Sequence, residues 1–286
     1  MKNVFVPIAA VAFVASPGWA TSDPPSPAKW VEPMRRAHQK FSGRPGTLAL
    51  FGDSITTTLA FWSGLRYEHR NLDAEAQQAL DRVNRHMLKE CWSDWRGPRF
   101  GNDGGKTAGW ARENVDAWLR SMNPEVAVIL FGTNDLNGTS PDDYDRAMRE
   151  VVRKCLDNGT VVILTTVPPR SGKLEESRRF ADIVRRIGKE MNTPVIDYFA
   201  EVLRRRPDDW DGSAKQFSAA VKAAGGDVYQ VPTLISGDGV HPSYSRKDAG
   251  DYSRDALTRS GYGLRNYLTL LEYGRVITEV LQPAKK

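Results

Sequence analysis

The chain alternates short, continuously apolar segments with longer amphipathic ones. The clearest apolar segments cover residues 47–51, 126–131, 161–167 and 195–198. Runs of this length and composition are typical of strands whose two faces are both buried. A further strand, weaker in sequence, is expected around residues 99–100.

The segments between these strands carry helical periodicity. Residues 115–122 place apolar side chains at intervals of three and four residues, which makes one apolar helix face. Ser140 and Pro141 suit the N-cap and first position of another helix, which we expect to end at Gly159. Residues 174–191 form a further amphipathic helix. Strands that alternate with helices predict an α/β fold, with a parallel sheet covered on both faces.

Two stretches are predicted insertions between these elements, near residues 62–98 and 208–236. The first contains a helical segment at 72–87 and several Trp and Tyr residues, and the second has weaker helical content. Aromatic rings near a site can stack on a substrate, but packing in a core or lid is the more common reason for such a cluster. We expect one domain over residues 30–280.

The amino-terminal residues resemble an export signal. Lys2 precedes an apolar run over residues 4–14, and small residues follow at Gly18 and Ala20. This pattern predicts a signal peptide over residues 1–20, followed by a disordered lead-in over 21–29. A membrane anchor would need about 20 apolar residues. The mature protein is therefore expected to be secreted or periplasmic, without stable membrane insertion.

Composition and charge exclude several classes of protein. The chain has 286 residues, of which 40% are hydrophobic and 26% charged, so it is not collagen-like, low-complexity or wholly disordered. Its 40 Lys and Arg residues exceed its 35 Asp and Glu residues, for a net charge of +5, but the two signs are interleaved. Short basic clusters therefore indicate a solvated surface, and no nucleic-acid partner is expected.

The cysteines and histidines do not predict a metal site. The two cysteines, Cys91 and Cys155, can form one disulfide or remain two buried thiols, and the sequence leaves both alternatives open. The four histidines are scattered and lack the Cys/His spacing of zinc sites.

Three short motifs place reactive side chains after or beside the predicted strands. Gly52-Asp53-Ser54-Ile55 follows the first strand, and Gly132-Thr133-Asn134-Asp135 follows the strongest one. In open α/β sheets ligands bind beyond the carboxyl ends of the strands, where a Ser can act as a nucleophile and an Asn can donate to an oxyanion. Either motif alone is also an ordinary cap or turn sequence.

The third motif is Asp238-Gly239-Val240-His241-Pro242. With this spacing, Asp238 can accept a hydrogen bond from one ring nitrogen of His241, and the other nitrogen can then take a proton from a nucleophile. In isolation a loop histidine with a satisfied hydrogen bond is the more common finding. The occurrence of all three motifs in one chain, in this order, favours a catalytic site.

Together the motifs resemble the conserved blocks of the SGNH (GDSL-type) hydrolase family. Residues 52–54 are similar to its first block, residues 132–135 to its third, and Asp238 and His241 to its fifth. The glycine of the second block is best matched by Gly105, with Gly104 as the competing assignment. The resemblance implies a three-layer α/β/α fold with a flavodoxin-like parallel sheet.

The resemblance also implies hydrolysis of a carboxylic ester through an acyl-enzyme, without metal or cofactor. Ser54 would be the nucleophile, with His241 as its base and Asp238 as the orienting carboxylate. The backbone N–H groups of Ser54 and Gly105 and the amide of Asn134 would form the oxyanion hole. The expected substrate is a small-molecule or carbohydrate ester. An O-acyltransferase and a non-catalytic module that binds carbohydrate or a cell surface are the alternatives.

Overall fold

A computed structural model describes residues 28–67 and 69–282 and contains a parallel four-stranded sheet. Its strands are β1 (Leu48–Gly52), β2 (Val126–Leu130), β3 (Val161–Thr165) and β4 (Val195–Ile196), paired in that order. The four strong apolar segments of the sequence therefore form strands. The predicted signal peptide and most of the predicted lead-in fall on residues 1–27, outside the described residues.

Helices connect and flank these strands. They are α1 (Val31–His38), α2 (Gly64–Tyr67), α3 (Ala74–His86), α4 (Ala108–Met122), α5 (Pro141–Asp157), α6 (Leu174–Met191), α7 (Tyr198–Arg205), α8 (Ser218–Ala223) and α9 (Gly261–Val276), and a π-helical turn (Ile277–Leu281) follows α9. No helix within residues 28–67 or 69–282 is long and apolar enough to cross a membrane.

Local sequence accounts for the boundaries of the predicted helices. The Ser140 side chain accepts a hydrogen bond from the backbone N–H of Asp143, and Pro141 occupies the first turn of α5. The helix ends at Asp157, two residues before Gly159. Helix α6 covers the predicted residues 174–191.

The sheet separates two hydrophobic layers. Leu48 and Leu50 of β1 point into a layer that contains side chains of α1, α3 and α9, whereas Ala49 and Phe51 point into a layer with α4, α5 and α6. Alternate side chains of a strand lie on opposite faces, which is why both faces of this sheet need helices. The arrangement is the three-layer α/β/α fold that the sequence predicted.

The prediction of a strand at residues 99–100 is wrong. Pro98–Phe100 forms a short 3-10 helix, and among the described residues a single bridge, between Gly52 and Asn102, continues the sheet beyond β1. Pro98 cannot donate to a ladder. The Asn102 side chain also donates to the Leu50 carbonyl at 2.8 Å, which gives an edge group of β1 its partner. The flavodoxin-like order is thus present with its second strand reduced to one bridge.

The aromatic residues of the first predicted insertion pack mainly in the core. Trp62 is buried and stacks on Trp92 with ring centroids 4.9 Å apart, and the buried Trp95 meets Phe61 edge-on at 6.2 Å. Tyr67 differs from them, since 72% of it is exposed. Packing therefore explains most of this aromatic cluster.

The two cysteines are free and lie on opposite sides of the sheet. Cys91 is buried in the layer with α3 and α9, and Cys155 in the layer with α4–α6. Burial raises the pKa of the Cys91 thiol and raises that of Cys155 to about 12. Of the two alternatives that the sequence left open, the structure has two buried thiols.

A buried carboxylate joins two helices directly before β2 begins. The Glu125 carboxylate accepts hydrogen bonds from Nε2 of His38 at 2.9 Å, from Nε2 of His86 at 2.8 Å and from the backbone N–H of Gly46 at 2.6 Å. Burial alone would raise the pKa of Glu125, but these hydrogen bonds outweigh it and hold the pKa at about 2. The cluster ties α1 and α3 to the amino-terminal edge of the sheet.

Candidate active site

Ser54 lies in the tight turn that follows β1. The turn needs glycine at position 52, since a Cβ there would lie 2.1 Å from Oγ1 of Thr56 and 2.7 Å from the carbonyl oxygen of Leu130. Ser54 itself is half-buried. Its hydroxyl is therefore presented at the carboxyl edge of the sheet, where ligands bind in open α/β folds.

The structure brings Ser54, His241 and Asp238 into one chain of hydrogen bonds. Oγ of Ser54 lies 2.9 Å from Nε2 of His241, and Nδ1 of the same ring lies 2.7 Å from Oδ2 of Asp238. A nucleophile, a base and an orienting carboxylate within hydrogen-bond distance form the arrangement that activates a serine.

The Asp238 carboxylate is held in its ionised form. Burial would raise its pKa, but hydrogen bonds from the His241 ring, the Ser236 hydroxyl and the backbone N–H groups of His241 and Val240 keep that pKa well below its ordinary value. The Ser236 hydroxyl donates at 2.6 Å and the Val240 N–H at 2.8 Å. An ionised carboxylate at Nδ1 stabilises the positive charge that the ring acquires when it takes a proton.

Backbone geometry distinguishes Gly105 from Gly104. The Gly104 N–H donates to the side chain of Asp103 at 2.9 Å. By contrast, the N–H groups of Gly105 and Ser54 have no hydrogen-bond partner among the described residues. Gly105 also has a φ of +73°, which glycine adopts without strain. Two unpaired donors at this edge of the sheet favour Gly105 over Gly104 as a partner of Ser54 in binding an oxyanion.

Asn134 and Asp135 bind the loop of Gly105 to the end of β2. Nδ2 of Asn134 donates to the carbonyl of Lys106 at 2.9 Å, which uses one of its two amide hydrogens. The carboxylate of Asp135 accepts from the backbone N–H of Ala108 at 3.0 Å, at the start of α4. Burial raises the pKa of Asp135 to about 6. These contacts place the Asn134 amide group beside the Gly105 loop.

The sequence analysis did not identify Arg265, a buried residue that contacts the two residues directly after Ser54. The Arg265 guanidinium donates to the carbonyl of Ile55 at 2.7 Å and to Oγ1 of Thr56 at 3.0 Å, and it lies 3.6 Å from the centre of the Phe61 ring. Burial lowers the pKa of Arg265 to about 10, so the group still carries its charge at neutral pH. The one available signal was a charged side chain among the buried residues of α9, which also include the polar Asn266 and Thr269.

Asp53 is a buried acidic residue whose carboxyl group is affected by the charge of Arg265. It is fully buried, its Oδ1 accepts from the backbone N–H of Ile55 at 3.0 Å, and its Oδ2 has no hydrogen-bond partner within the described chain. Burial raises its pKa to about 6, against the opposing effects of the Ile55 hydrogen bond and the Arg265 charge. Asp53 and Arg265 thus both contact the backbone of the turn that contains Ser54.

A cavity of about 390 Å³ opens beside Ser54 and His241. The second predicted insertion, near 208–236, contributes Asp227, Tyr229 and Gln230 to its wall. The remaining lining residues are Thr58, Ala60, Tyr244, Arg246 and Tyr262. We name this space the first cavity.

Three polar residues that line the first cavity, Asp227, Gln230 and Arg246, contact one another. Asp227 and Arg246 approach each other to 3.4 Å, and 79% of the Arg246 side chain is exposed. Gln230 links them, since its Nε2 donates to Asp227 at 3.3 Å and its Oε1 accepts from the Arg246 N–H at 2.9 Å. Charged and amide groups of this kind suit a ligand rich in hydroxyl groups.

A family comparison agrees with these observations. A sequence model of the GDSL-like lipase/acylhydrolase family matches residues 50–245, which is more than half of the chain. The matched range contains Ser54, Asp238 and His241, as well as Gly105 and Asn134. No curated protein sequence matches the chain significantly.

Solved structures share the fold. A putative acylhydrolase from Bacteroides fragilis has a TM-score of 0.50 and 16% identity, over 87% of this chain and 99% of its own. A putative lipolytic protein of the G-D-S-L family from Desulfitobacterium hafniense has a TM-score of 0.50 and 16% identity, over 79% and 98%. A catalytic mutant of an acetylxylan esterase from Geobacillus stearothermophilus has a TM-score of 0.46 and 16% identity, over 82% and 96%. The first two likenesses show the common α/β/α architecture.

Proposed function

The chain belongs to the GDSL-like lipase/acylhydrolase family, and from that premise we propose that it is a serine esterase that acts through an acyl-enzyme on Ser54. The observation that carries the proposal is the chain of contacts from Ser54 Oγ to His241 at 2.9 Å and from His241 to Asp238 at 2.7 Å. Family membership makes the chain a hydrolase, which argues against the alternative of a non-catalytic module that binds carbohydrate or a cell surface.

In the first half-reaction, Nε2 of His241 takes the hydroxyl proton while Ser54 attacks the ester carbonyl. The N–H groups of Ser54 and Gly105 and the amide of Asn134 bind the oxyanion that develops. The protonated His241 then donates its proton to the departing alcohol, and an acyl-Ser54 ester remains. Asp238 keeps the ring in the required tautomer and stabilises its charge.

In the second half-reaction, water replaces the alcohol. His241 takes a proton from this water as it attacks the acyl-Ser54 carbonyl, and the same donors bind the second oxyanion. Collapse of this intermediate returns the proton to Ser54 and releases the acid. The proposed steps use side chains and backbone N–H groups of this protein together with water, and they require no metal or cofactor.

We propose an acylated carbohydrate as the substrate class. The leaving alcohol must lie near Nε2 of His241 to receive its proton, and His241 lines the first cavity together with Ser54. Asp227, Gln230 and Arg246 in the same cavity offer hydrogen bonds to hydroxyl groups of a sugar.

The site belongs, in this proposal, to one domain over residues 30–280 of an exported protein. The sequence pattern of residues 1–20 supports the export signal. Mass analysis of the mature amino terminus tests cleavage after Ala20. An intact amino terminus on the exported protein would contradict it.

Active-site labelling tests the mechanism. A serine-directed phosphonate is expected to stop hydrolysis of p-nitrophenyl acetate and to leave its adduct on Ser54 alone, because His241 activates this hydroxyl. Peptide mass mapping locates the adduct. An adduct on another serine, or full esterase activity in Ser54→Ala, would overturn the proposal.

A further inference from the structure

A second cavity adjoins the first, with Tyr244 as a shared wall. Its volume is about 370 Å³, and it is lined by residues of the loop after Ser54, of α2 and of the turn near Trp92. We name it the second cavity. It contains neither Ser54 nor His241, so no step of the proposed hydrolysis uses it.

Exposed apolar side chains mark the second cavity. Leu59 is 61% exposed and Tyr67 is 72% exposed, and these are the exposed large hydrophobic side chains among residues 28–67 and 69–282. Both line this one cavity, and the buried Trp92 forms another part of its wall. Leaving these side chains in water is unfavourable unless a ligand covers them, because apolar surface gains free energy when it is buried.

We propose that the second cavity is a subsite for a further sugar residue of the substrate, one that is linked to the sugar whose ester is cleaved. This inference rests on the proposed function, since it concerns the alcohol side of the same ester. The exposed Tyr67 ring would stack on the apolar C–H face of the sugar. The hydroxyl of Ser93, which lines the cavity, would bind one of the hydroxyl groups of the sugar.

The position of the second cavity favours the alcohol over the acyl group. The alcohol oxygen lies beside His241 during proton transfer, and His241 lines the first cavity. Gly105 and Asn134, which bind the oxyanion, line neither cavity. The path from the reacting atoms to Tyr67 therefore leaves on the side of the departing alcohol and passes Tyr244.

The chemistry of that path favours a sugar over an alkyl chain. Asp227, Gln230 and Arg246 line the first cavity, and an alkyl chain that passed them would desolvate charged groups without replacing their hydrogen bonds. A carbohydrate has hydroxyl groups for these side chains and a C–H face for an aromatic ring. Tyrosine is suited to such contacts because its ring is apolar and its hydroxyl is polar.

The test compares ester substrates of increasing sugar length. The substrates are p-nitrophenyl acetate and the monoacetyl esters of xylose, xylobiose and xylotriose, with the matching gluco-oligosaccharide esters in parallel. For the wild type we expect kcat/KM to rise by about tenfold from the monosaccharide to the longer esters, which corresponds to about 1.4 kcal/mol. Tyr67→Ala should remove this rise.

Tyr67→Phe is the matched control, because it keeps the ring and deletes only the hydroxyl. It should preserve the dependence on sugar length. A binding readout independent of turnover uses Ser54→Ala: xylotriose should change its tryptophan fluorescence, since Trp92 lines the cavity, and Tyr67→Ala in that background should abolish the change.

Each result decides the inference. Equal kcat/KM for mono- and oligosaccharide esters in the wild type would overturn it, as would an unchanged length dependence in Tyr67→Ala. A series of p-nitrophenyl esters from acetate to octanoate provides the competing occupant: if Tyr67→Ala alters their chain-length dependence instead, the second cavity holds the acyl group and the inference is wrong. Failure to hydrolyse p-nitrophenyl acetate and every sugar ester would instead overturn the proposed function.

Discussion

The guanidinium of Arg265 donates a hydrogen bond of 2.7 Å to the main-chain carbonyl of Ile55, the residue that follows Ser54. A helix near the carboxyl end of the chain thereby fixes the turn that presents the candidate nucleophile. The contact spans 210 positions of sequence and is fully buried. The conformation of this turn therefore depends on the docking of α9 as well as on its own residues.

Arg265→Met should lower the free energy of unfolding by about 3–5 kcal/mol, because it leaves the Ile55 carbonyl and the Asp53 carboxyl buried without the cation. Urea unfolding at pH 7 measures the loss. In the double variant Asp53→Asn/Arg265→Met the loss should be smaller than the sum of the single losses. Strict additivity of the two would show that Asp53 and Arg265 do not interact.

Asp135 should make stability fall as the pH rises from about 4 to 6. Its folded-state pKa is about 6 and its ordinary value is 3.8, so between these values the folded protein holds a proton that the unfolded chain has lost. Unfolding then becomes easier with rising pH, by about 2–3 kcal/mol over the window. Asp135→Asn should make this part of the curve less steep without abolishing the slope, because the pKa of Asp53 is also raised to about 6. Urea unfolding at pH 4, 5, 6 and 7 measures the slope of wild type and variant. Parallel curves for wild type and variant would contradict the assignment.

Glu125 should act in the opposite direction and at lower pH. Its folded-state pKa of about 2 lies below the ordinary 4.5, so its ionised form stabilises the fold above pH 4.5 and this contribution is lost as the pH falls through about 2. Glu125→Gln should cost about 3 kcal/mol at pH 7 and much less near pH 2. Thermal unfolding across pH measures the difference.

The same Glu125→Gln variant also tests whether the cluster at the amino-terminal edge of the sheet affects the active site at the carboxyl edge. Glu125 lies at the amino-terminal edge of the sheet, whereas Ser54 lies at the carboxyl edge. At a temperature where the variant is folded, its kcat for p-nitrophenyl acetate should stay close to that of the wild type. A large fall in kcat would show that the His38–Glu125–His86 cluster shapes the active site.

Asn134→Ala should lower kcat by about 10²–10³ and change KM little, because charge develops on the carbonyl oxygen only during attack. Steady-state kinetics with p-nitrophenyl acetate measures both constants, after the thermal midpoint has been compared with that of the wild type. If Asn134 only holds Lys106 in the turn, the variant will lose stability and keep its turnover.

Gly105→Ala and Gly104→Ala form a matched pair. A Cβ at either position meets open space, but Gly105 has a φ of +73°, so alanine strains the backbone there and moves its N–H. We expect kcat to fall for Gly105→Ala and to stay near the wild-type value for Gly104→Ala. The reverse result would assign the oxyanion donor to Gly104.

The sequence predicted the parts of the site that depend on local pattern. Continuous apolar runs located β1 and β2, and reactive residues directly after them had to meet at one edge of a parallel sheet. Asp238 and His241 lie three residues apart, so their contact is also local. The hydrogen bond between Ser54 and His241 joins residues 187 positions apart in sequence, and only the occurrence of the motifs together predicted it.

The parts that depend on tertiary contacts were not predictable. The strand expected at residues 99–100 is absent, because Pro98 lacks a donor and Asn102 satisfies the β1 edge with its side chain. The role of Arg265 depends on how α9 packs against the turn that contains Ser54, and the local sequence does not specify that packing. The second cavity arises from Leu59 and Tyr244, which lie far apart in sequence, and no single segment encodes it.

The separation of Cys91 and Cys155 by the sheet gives the protein two native probes of its own opening. An alkylating reagent reacts with a solvated thiolate. Cys91 and Cys155 are both buried and have raised pKa values, so neither presents a solvated thiolate in the folded protein. Cys91 becomes reactive when the α3 and α9 layer separates from the sheet, and Cys155 when the α4–α6 layer does. The ratio of their labelling rates under native conditions therefore distinguishes the opening of one layer from global unfolding, and thus shows whether the helix that carries Arg265 detaches independently of the rest of the fold.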